Sequence, residues 1–298
     1  MTSGQFAVDT EQFAVDTEPF RRELLAHCYR MLGSVRTWLY RIATNACLNA
    51  LEHSSRRMLP SGLGGPETDP QRPRAAADAS VSWLEPLPDA LAGADPASIV
   101  AAREGLRLAL IASLQYLPAT QRAVLILRDV LGFPAAEVAG LLGTSTAAVK
   151  SALQRARVRL DQLGLAADDV SEPADPRARA MLDEYIAAFE KSDSAALERL
   201  LHADATLEAT PWRTWFAGNS TCLPFLRAQV LGSPGTWRML PTGANGQPAA
   251  ASYYRDDEGR YQAYGILVLT VTAGRISRAV SFGDPGLVPV FGFPPVLA

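Results

Sequence analysis

The chain has 298 residues, 48% hydrophobic and 20% charged, with a formal net charge of −3; such proportions are ordinary for a soluble globular protein of two or three domains. No stretch approaches the ~20 uncharged apolar residues that a membrane helix requires, and Met1 to Glu18 carries acids but no Lys or Arg, unlike the basic start of a signal peptide. Three scattered cysteines (Cys28, Cys47, Cys222) lack metal-ligand spacing and fit a reducing, cytoplasmic location, with no metal or cofactor expected.

The heptapeptide QFAVDTE occurs at Gln5–Glu11 and again at Gln12–Glu18, and residues 1–17 read as a duplicated, tolerant N-terminal arm without function. From residue 18, Phe20, Leu24, Leu25, Cys28, Met31 and Leu32 recur at three- and four-residue steps until Gly33. A second helix is expected from Val35 to Met58, with Trp38, Leu39, Ile42 and Leu51 on an apolar stripe. Residues 59–97 are rich in Pro, Gly, Ala and Asp without periodicity, which predicts a mobile linker.

Helices resume in 98–165: Ile99–Tyr116, Thr120–Leu131, Ala135–Leu142 and Thr146–Leu163. Residues 177–298 begin with two helices (Arg177–Lys191, Ser194–Leu201). Candidate strands follow at Ala205–Ala209, Thr214–Ala217, Thr236–Pro241, Ala249–Tyr254, Tyr261–Thr272 and Arg275–Phe282, with a helix interposed at Asn219–Leu231. Asp256-Asp257-Glu258-Gly259 and Ala273-Gly274 have hairpin-turn chemistry. The expected fold is multidomain: all-α units followed by an α+β domain with helices on a curved antiparallel sheet.

Charge is unevenly spread. Phe20–Met58 holds seven Arg against two Glu, and Thr144–Leu165 holds Lys150, Arg155, Arg157 and Arg159 against Asp161. Ser61–Val100 is acidic, with six acids against two Arg. Two basic blocks around an acidic spacer point to nucleic acid. The stretch FPAAEVAGLLGTSTAAVKSALQRARVRL, Phe133 to Leu160, has the short helix, Gly-bearing turn and second helix of a helix-turn-helix. Val138, Leu141 and Leu142 face inward on its first helix; Val149, Leu153 and Ala156 do so on its second. Lys150, Ser151, Gln154, Arg155 and Arg157 are left outward, where amide and hydroxyl groups meet base edges and cations meet phosphate or guanine. The Thr144 and Ser145 hydroxyls lie at the second helix's N-terminus, placed for capping or for phosphate contact.

Leu117 to Leu160, LPATQRAVLILRDVLGFPAAEVAGLLGTSTAAVKSALQRARVRL, resembles domain 4 of the extracytoplasmic-function (ECF) sigma factors of bacterial RNA polymerase. The resemblance implies −35 promoter contacts by Lys150, Ser151, Gln154 and Arg155; Ala152 stands where many relatives carry Arg. Ser34 to Arg57, SVRTWLYRIATNACLNALEHSSRR, resembles the helix of sigma domain 2 that captures the −10 element, which makes 18–58 a partial domain 2 and 98–165 domain 4. Arg36, Trp38, Tyr40, Arg41, Asn45 and Asn49 are its candidate contacts, because unstacked bases need aromatic and polar groups and phosphates need Arg. Trp38 also lies on the apolar stripe and serves equally as core. Relatives carry a further acidic helix between the equivalents of Gly33 and Ser34, which docks on the polymerase clamp; here MLGS runs directly into VRTW.

Residues 177–298 resemble the SnoaL-like cone-shaped α+β fold, which follows domain 4 in several ECF subgroups and regulates them. The fold offers an apolar pocket; His202, Asp204 and Glu208 are its candidate acid–base groups, with Trp212, Trp215 and Tyr254 as walls. No nucleophile–base–orienter set and no metal spacing appears, so no catalytic residue is assigned. The implied function is a non-enzymatic sigma factor with promoter DNA and core RNA polymerase as partners, no membrane, and a small molecule as candidate ligand of the C-terminal domain. Two other readings stay open: a degenerate paralogue that binds DNA without recruiting polymerase, and a SnoaL-like small-molecule-binding protein or cyclase with a helical appendage.

Overall fold

A computed structural model of the chain describes residues 35–52, 56–72, 77–91, 108–162 and 176–297. The tandem repeat and the expected helix through Phe20 and Leu24 lie outside them. The described helices, in chain order, begin with α1 (Val35–Glu52), α2 (Leu108–Leu114), α3 (Ala119–Leu125), α4 (Ala135–Leu142) and α5 (Thr146–Gln162). The C-terminal elements are α6 (Pro176–Glu190), α7 (Ser194–Leu200), β1 (Leu201–Thr210), β2 (Trp215–Ala217), α8 (Asn219–Gln229), β3 (Trp237–Ala244), β4 (Gln247–Arg255), β5 (Tyr261–Thr272), β6 (Arg275–Phe282), α9 (Leu287–Val290) and β7 (Val296–Leu297). The chain divides into two compact units, one of Met1–Ser54 with Ala119–Arg155 and one of Ser55–Pro118 with Ala156–Ala298.

In the first unit α3 starts directly after Pro118 and widens into a π turn, Ile126–Val130. Gly143 ends α4 in the left-handed conformation (φ 63°) that a side chain resists, and its N–H closes on the Ala139 carbonyl. Phe133, Val138 and Val149 are buried. Helix α1, expected to belong to a separate domain 2, packs within this unit. Tyr40 meets Phe133 edge to face at 5.1 Å. The Arg36 guanidinium lies 4.1 Å from the Phe133 ring centroid and donates to the Leu131 carbonyl at 3.0 Å. The Phe133 ring, in the α3–α4 connection, thus receives Arg36 and Tyr40 of α1 through a cation–π and an edge-to-face contact.

In the second unit the sheet order is β2-β1-β6-β5-β4-β3, with β7 paired to β5. The expected all-antiparallel sheet is corrected: β1 and β6 run parallel. The meander β3–β6 folds back so that its last strand meets β1, and α8 supplies the crossover that a parallel pair requires. Ala273-Gly274 turns β5 into β6 as expected, and Asn245-Gly246 joins β3 to β4; all four residues have positive φ, as a two-residue I′ hairpin demands. Alternation along β5 sends Leu267, Leu269 and Val271 to the face covered by α6, α7 and α8. Ile266 and Val268 go to the opposite face. With both faces buried, the strand reads as an unbroken apolar run.

The described parts of the spacer expected to be mobile, 59–72 and 77–91, are instead a strap laid on this domain. Leu59 and Leu84, 2% and 4% exposed, and Leu108 of α2 sit in one core with Tyr253, Ile266 and Phe282. The Glu67 N–H donates to the Trp215 carbonyl at 2.8 Å, and the Trp215 indole donates to the Gly64 carbonyl at 2.9 Å. Leu87 exchanges backbone and side-chain hydrogen bonds with Asn245, both at 2.9 Å. Periodicity is blind to such a segment, because a few anchors entering a preformed surface need no repeat. Truncating one anchor, Leu84→Ala, should cost about 2–5 kcal/mol. Hydrogen exchange of the strap should accelerate accordingly, and unchanged exchange would contradict the docking.

Asp78 adds an acid-sensitive clasp. Its carboxyl accepts from Ser80 and pairs with Arg213 at 2.6 Å. The Ser80 hydrogen bonds, and then Arg213, hold its pKa below the ordinary aspartate value. A lowered native pKa contributes stability that is present above the unfolded value and is lost as pH falls through the native one. Strap protection should therefore decline in acid below the usual aspartate range, and Asp78→Asn should blunt that decline in an exchange-versus-pH series.

Candidate nucleic-acid interface

The helix-turn-helix is built by local chemistry. The Ser145 hydroxyl accepts the Ala148 N–H at 3.1 Å, capping α5. Val149, Ala152, Leu153 and Ala156 are buried, so four residues at helical spacing fix which side of α5 turns inward. Ala152 is therefore an inward residue. Thr144, Ser145, Lys150, Ser151, Gln154, Arg155 and Arg157 are all exposed. Arg155 donates to the Ser151 hydroxyl one turn earlier, which orients the guanidinium along the helix. The result is a capped helix whose outer side carries two cations, an amide and a hydroxyl within about two turns, a donor and acceptor set suited to a major groove.

The candidates on α1 are distributed differently. Arg41, Asn45 and Asn49 are exposed, while Trp38 is half-buried. Arg36 and Tyr40 are engaged with Leu131 and Phe133. Leu39 and Ile42 on the same helix are each 49% exposed, an apolar side without full cover.

The C-terminal domain encloses a cavity of about 730 Å³ between the sheet and α6 and α8. Tyr185, Phe189, Phe225, Trp237, Met239 and Tyr264 supply its apolar wall. Tyr254 lines it and packs edge to face on Trp237 at 5.2 Å. His202, Asp204, Trp212 and Trp215 do not line it. His202 and Asp204 are exposed at the start of β1, joined by an Asp204 N–H to Nδ1 bond of 3.3 Å, and Trp215 is turned to the strap. Glu208 does reach the cavity. It is 4% exposed, pairs with Arg278 at 2.5 Å and accepts the Ser61 N–H at 2.8 Å. Cys222 is buried, and burial pushes its thiol up to about 11, so it is an inert core residue. Among the described residues no His/Cys/Asp/Glu cluster can hold a metal, and no helix is long and apolar enough to cross a membrane.

Residues 107–160 match the family model "Sigma-70, region 4". Over 321 aligned positions the chain is 45% identical to the ECF RNA polymerase sigma factor SigG of Mycobacterium tuberculosis, covering 98% of this chain and 84% of that protein. The chain belongs to the ECF RNA polymerase sigma factors. It is also 35% identical to the ECF sigma factor SigJ of the same organism over 127 residues, 42% of this chain and 39% of SigJ. The crystal structure of SigJ shares the fold, with a TM-score of 0.54 at 22% identity over 95% of this chain and 99% of that one. As a sigma factor the protein is a specificity subunit rather than an enzyme, and its partners are promoter DNA and core RNA polymerase. The cavity wall is what sequence reading missed. Tyr185, Phe189 and Phe225 repeat at the spacing of ordinary core residues, and Trp237 and Met239 alternate on a strand; nothing local separates a residue facing a cavity from one facing a filled core.

Proposed function

We propose that this sigma factor reads the −35 element through Lys150, Ser151, Gln154 and Arg155, with Thr144, Ser145 and Arg157 on backbone phosphate, and binds core polymerase more weakly than relatives that retain the clamp helix. The single observation carrying the first part is the capped, exposed polar side of α5. Supporting the second, the alignment with SigG spans 321 positions against 298 residues here, so at least 23 residues of that relative have no counterpart. That length suffices for about six helical turns. The exposed Leu39 and Ile42 fit a helix lacking a neighbour. Arg41, Asn45 and Asn49 remain available to a −10 strand, with Trp38 beside them; Arg36 and Tyr40 join them only if α1 leaves Phe133. The protein acts in the cytoplasm, where its polymerase is.

The test is a titration of core enzyme against this chain and a version with a relative's helix inserted between Gly33 and Ser34, read alongside run-off transcription. Tighter binding and more transcript are expected from the inserted version. Equal affinity with full transcript from the native chain would overturn weakened recruitment, whereas specific DNA binding with no transcript from the native chain would favour the degenerate paralogue.

The C-terminal domain serves as an intramolecular regulator with a ligand cavity and no turnover. It buries Leu59 and Leu84 of the segment that joins the two promoter-binding parts, and Leu108 at the start of α2. Deleting 177–298 strips cover from those side chains, each worth about 1.5–3 kcal/mol of burial. Promoter-dependent transcription should change while specific DNA binding through α5 persists; identical transcription by both chains at every promoter would remove the regulatory role.

A further inference from the structure

Two side chains of the cavity wall also hold the strap. Glu208 lines the cavity and accepts the Ser61 N–H at 2.8 Å, while Arg278 bridges the same two residues, meeting the carboxylate at 2.5 Å and the Ser61 hydroxyl at 3.1 Å. Gln229, the last residue of α8, lines the cavity, and its amide donates to the Pro70 and Arg72 carbonyls at 2.9 and 3.0 Å. The wall between them is aromatic: Trp237 packs edge to face with Phe189, Tyr254 and Tyr264 at 5.0 to 5.8 Å. The charged side chains on the lining are Glu208, matched by Arg278, and Arg227, bonded to Ser194. Tyr185, 2% exposed, lines the cavity, and none of the hydrogen bonds among the described residues engages its hydroxyl. Burial, and secondarily Cys222, raises its pKa, so it stays a protonated donor.

We propose that this cavity binds an uncharged, ring-bearing apolar compound carrying one hydrogen-bond acceptor, and that its occupancy tightens the strap through Glu208 and Gln229. An anion would meet the Glu208 carboxylate, and a small polar solute would leave the aromatic wall unfilled. The Tyr185 hydroxyl supplies the donor for a carbonyl or ether oxygen. A ligand of this kind displaces water beside Glu208, and lower local dielectric strengthens its charge-assisted bond from the Ser61 N–H and its ion pair with Arg278. Packing against Phe225 and Leu226 steadies α8, and with it Gln229. The inference rests on the reading of the C-terminal domain as a regulator, since the strap joins the promoter-binding parts.

The probe is 6-propionyl-2-(dimethylamino)naphthalene, an uncharged fused-ring ketone whose emission moves to shorter wavelength in apolar surroundings. Saturable binding to the full chain is expected, weakened roughly fivefold by Tyr185→Phe, the loss of one hydrogen bond. Saturating probe should slow hydrogen exchange of the Ser61–Glu67 peptide roughly fivefold or more. Glu208→Gln should still bind the probe but lose most of that slowing. Trp215→Phe, which removes a strap anchor away from the cavity, should weaken the probe, because coupling is reciprocal. Absent saturable binding, or binding indifferent to Tyr185→Phe, overturns the ligand class. Saturable binding with unchanged Ser61–Glu67 exchange overturns the coupling. Failure of the regulatory reading itself registers separately, in the transcription comparison of the full and truncated chains.

Discussion

Lys150→Ala and Arg155→Ala should each weaken specific promoter binding by about 1–3 kcal/mol if the side chain contacts a base edge. A phosphate contact gives a different signature: affinity falls similarly for all sequences, and the salt slope flattens by about one counterion. Both residues are exposed on a helix fixed by the Ser145 cap and a four-residue inner face, so truncation should leave the fold intact. The two variants are also informative as a pair, because Arg155 leans on Ser151. Ser151→Ala frees the guanidinium and should reduce discrimination between promoter sequences more than it reduces total affinity. The measurement is a salt series of binding isotherms on a −35 duplex and a scrambled one. Unchanged affinity for Lys150→Ala and Arg155→Ala at every salt concentration would remove α5 as the recognition helix.

The second large effect is expected inside the C-terminal domain. Glu208→Ala strands the Arg278 guanidinium, which is 19% exposed, and leaves the Ser61 N–H without its acceptor. Breaking one half of a buried pair costs about 3–5 kcal/mol, a large share of the roughly 5–15 kcal/mol that holds a domain folded. Trp83, Trp212, Trp215 and Trp237 lie in the second unit and Trp38 in the first, so tryptophan emission follows chiefly the affected unit. Denaturant unfolding should show a lower midpoint for this variant. Replacing both partners, Glu208→Leu with Arg278→Met, should recover much of the loss, because no charge is then left uncompensated. A midpoint equal to that of the native chain for Glu208→Ala would show that the pair does not anchor the strap.

These expectations divide along the line between local and nonlocal information. The limits of α4, β5 and β6 were legible to the residue, and α5 and α8 nearly so, because each is bounded by chemistry within a few residues of itself: Gly143 in the left-handed region, the Asp256–Gly259 turn, the Ala273-Gly274 pair. Asn245-Gly246 carries an equally strong signal that the expected strand limits, Pro241 and Ala249, left unused, so the β3–β4 hairpin was missed. The outward set on α5 was legible for the same reason, since a helix has one inner face and apolar spacing declares it. The parallel pairing of β1 with β6 was not, because it joins Leu201–Thr210 to strands some seventy residues onward, and no local pattern encodes which edge a returning strand meets. The strap was hidden for a related reason. Leu59 and Leu84 are too sparse to form a periodic face, and they become core only because the meander has already built the surface that receives them. The cavity was hidden most completely. Tyr185 and Trp237 have the residue types and spacings of packed core, and only the way the sheet meets α6 and α8 in the folded domain decides that the space between them stays open.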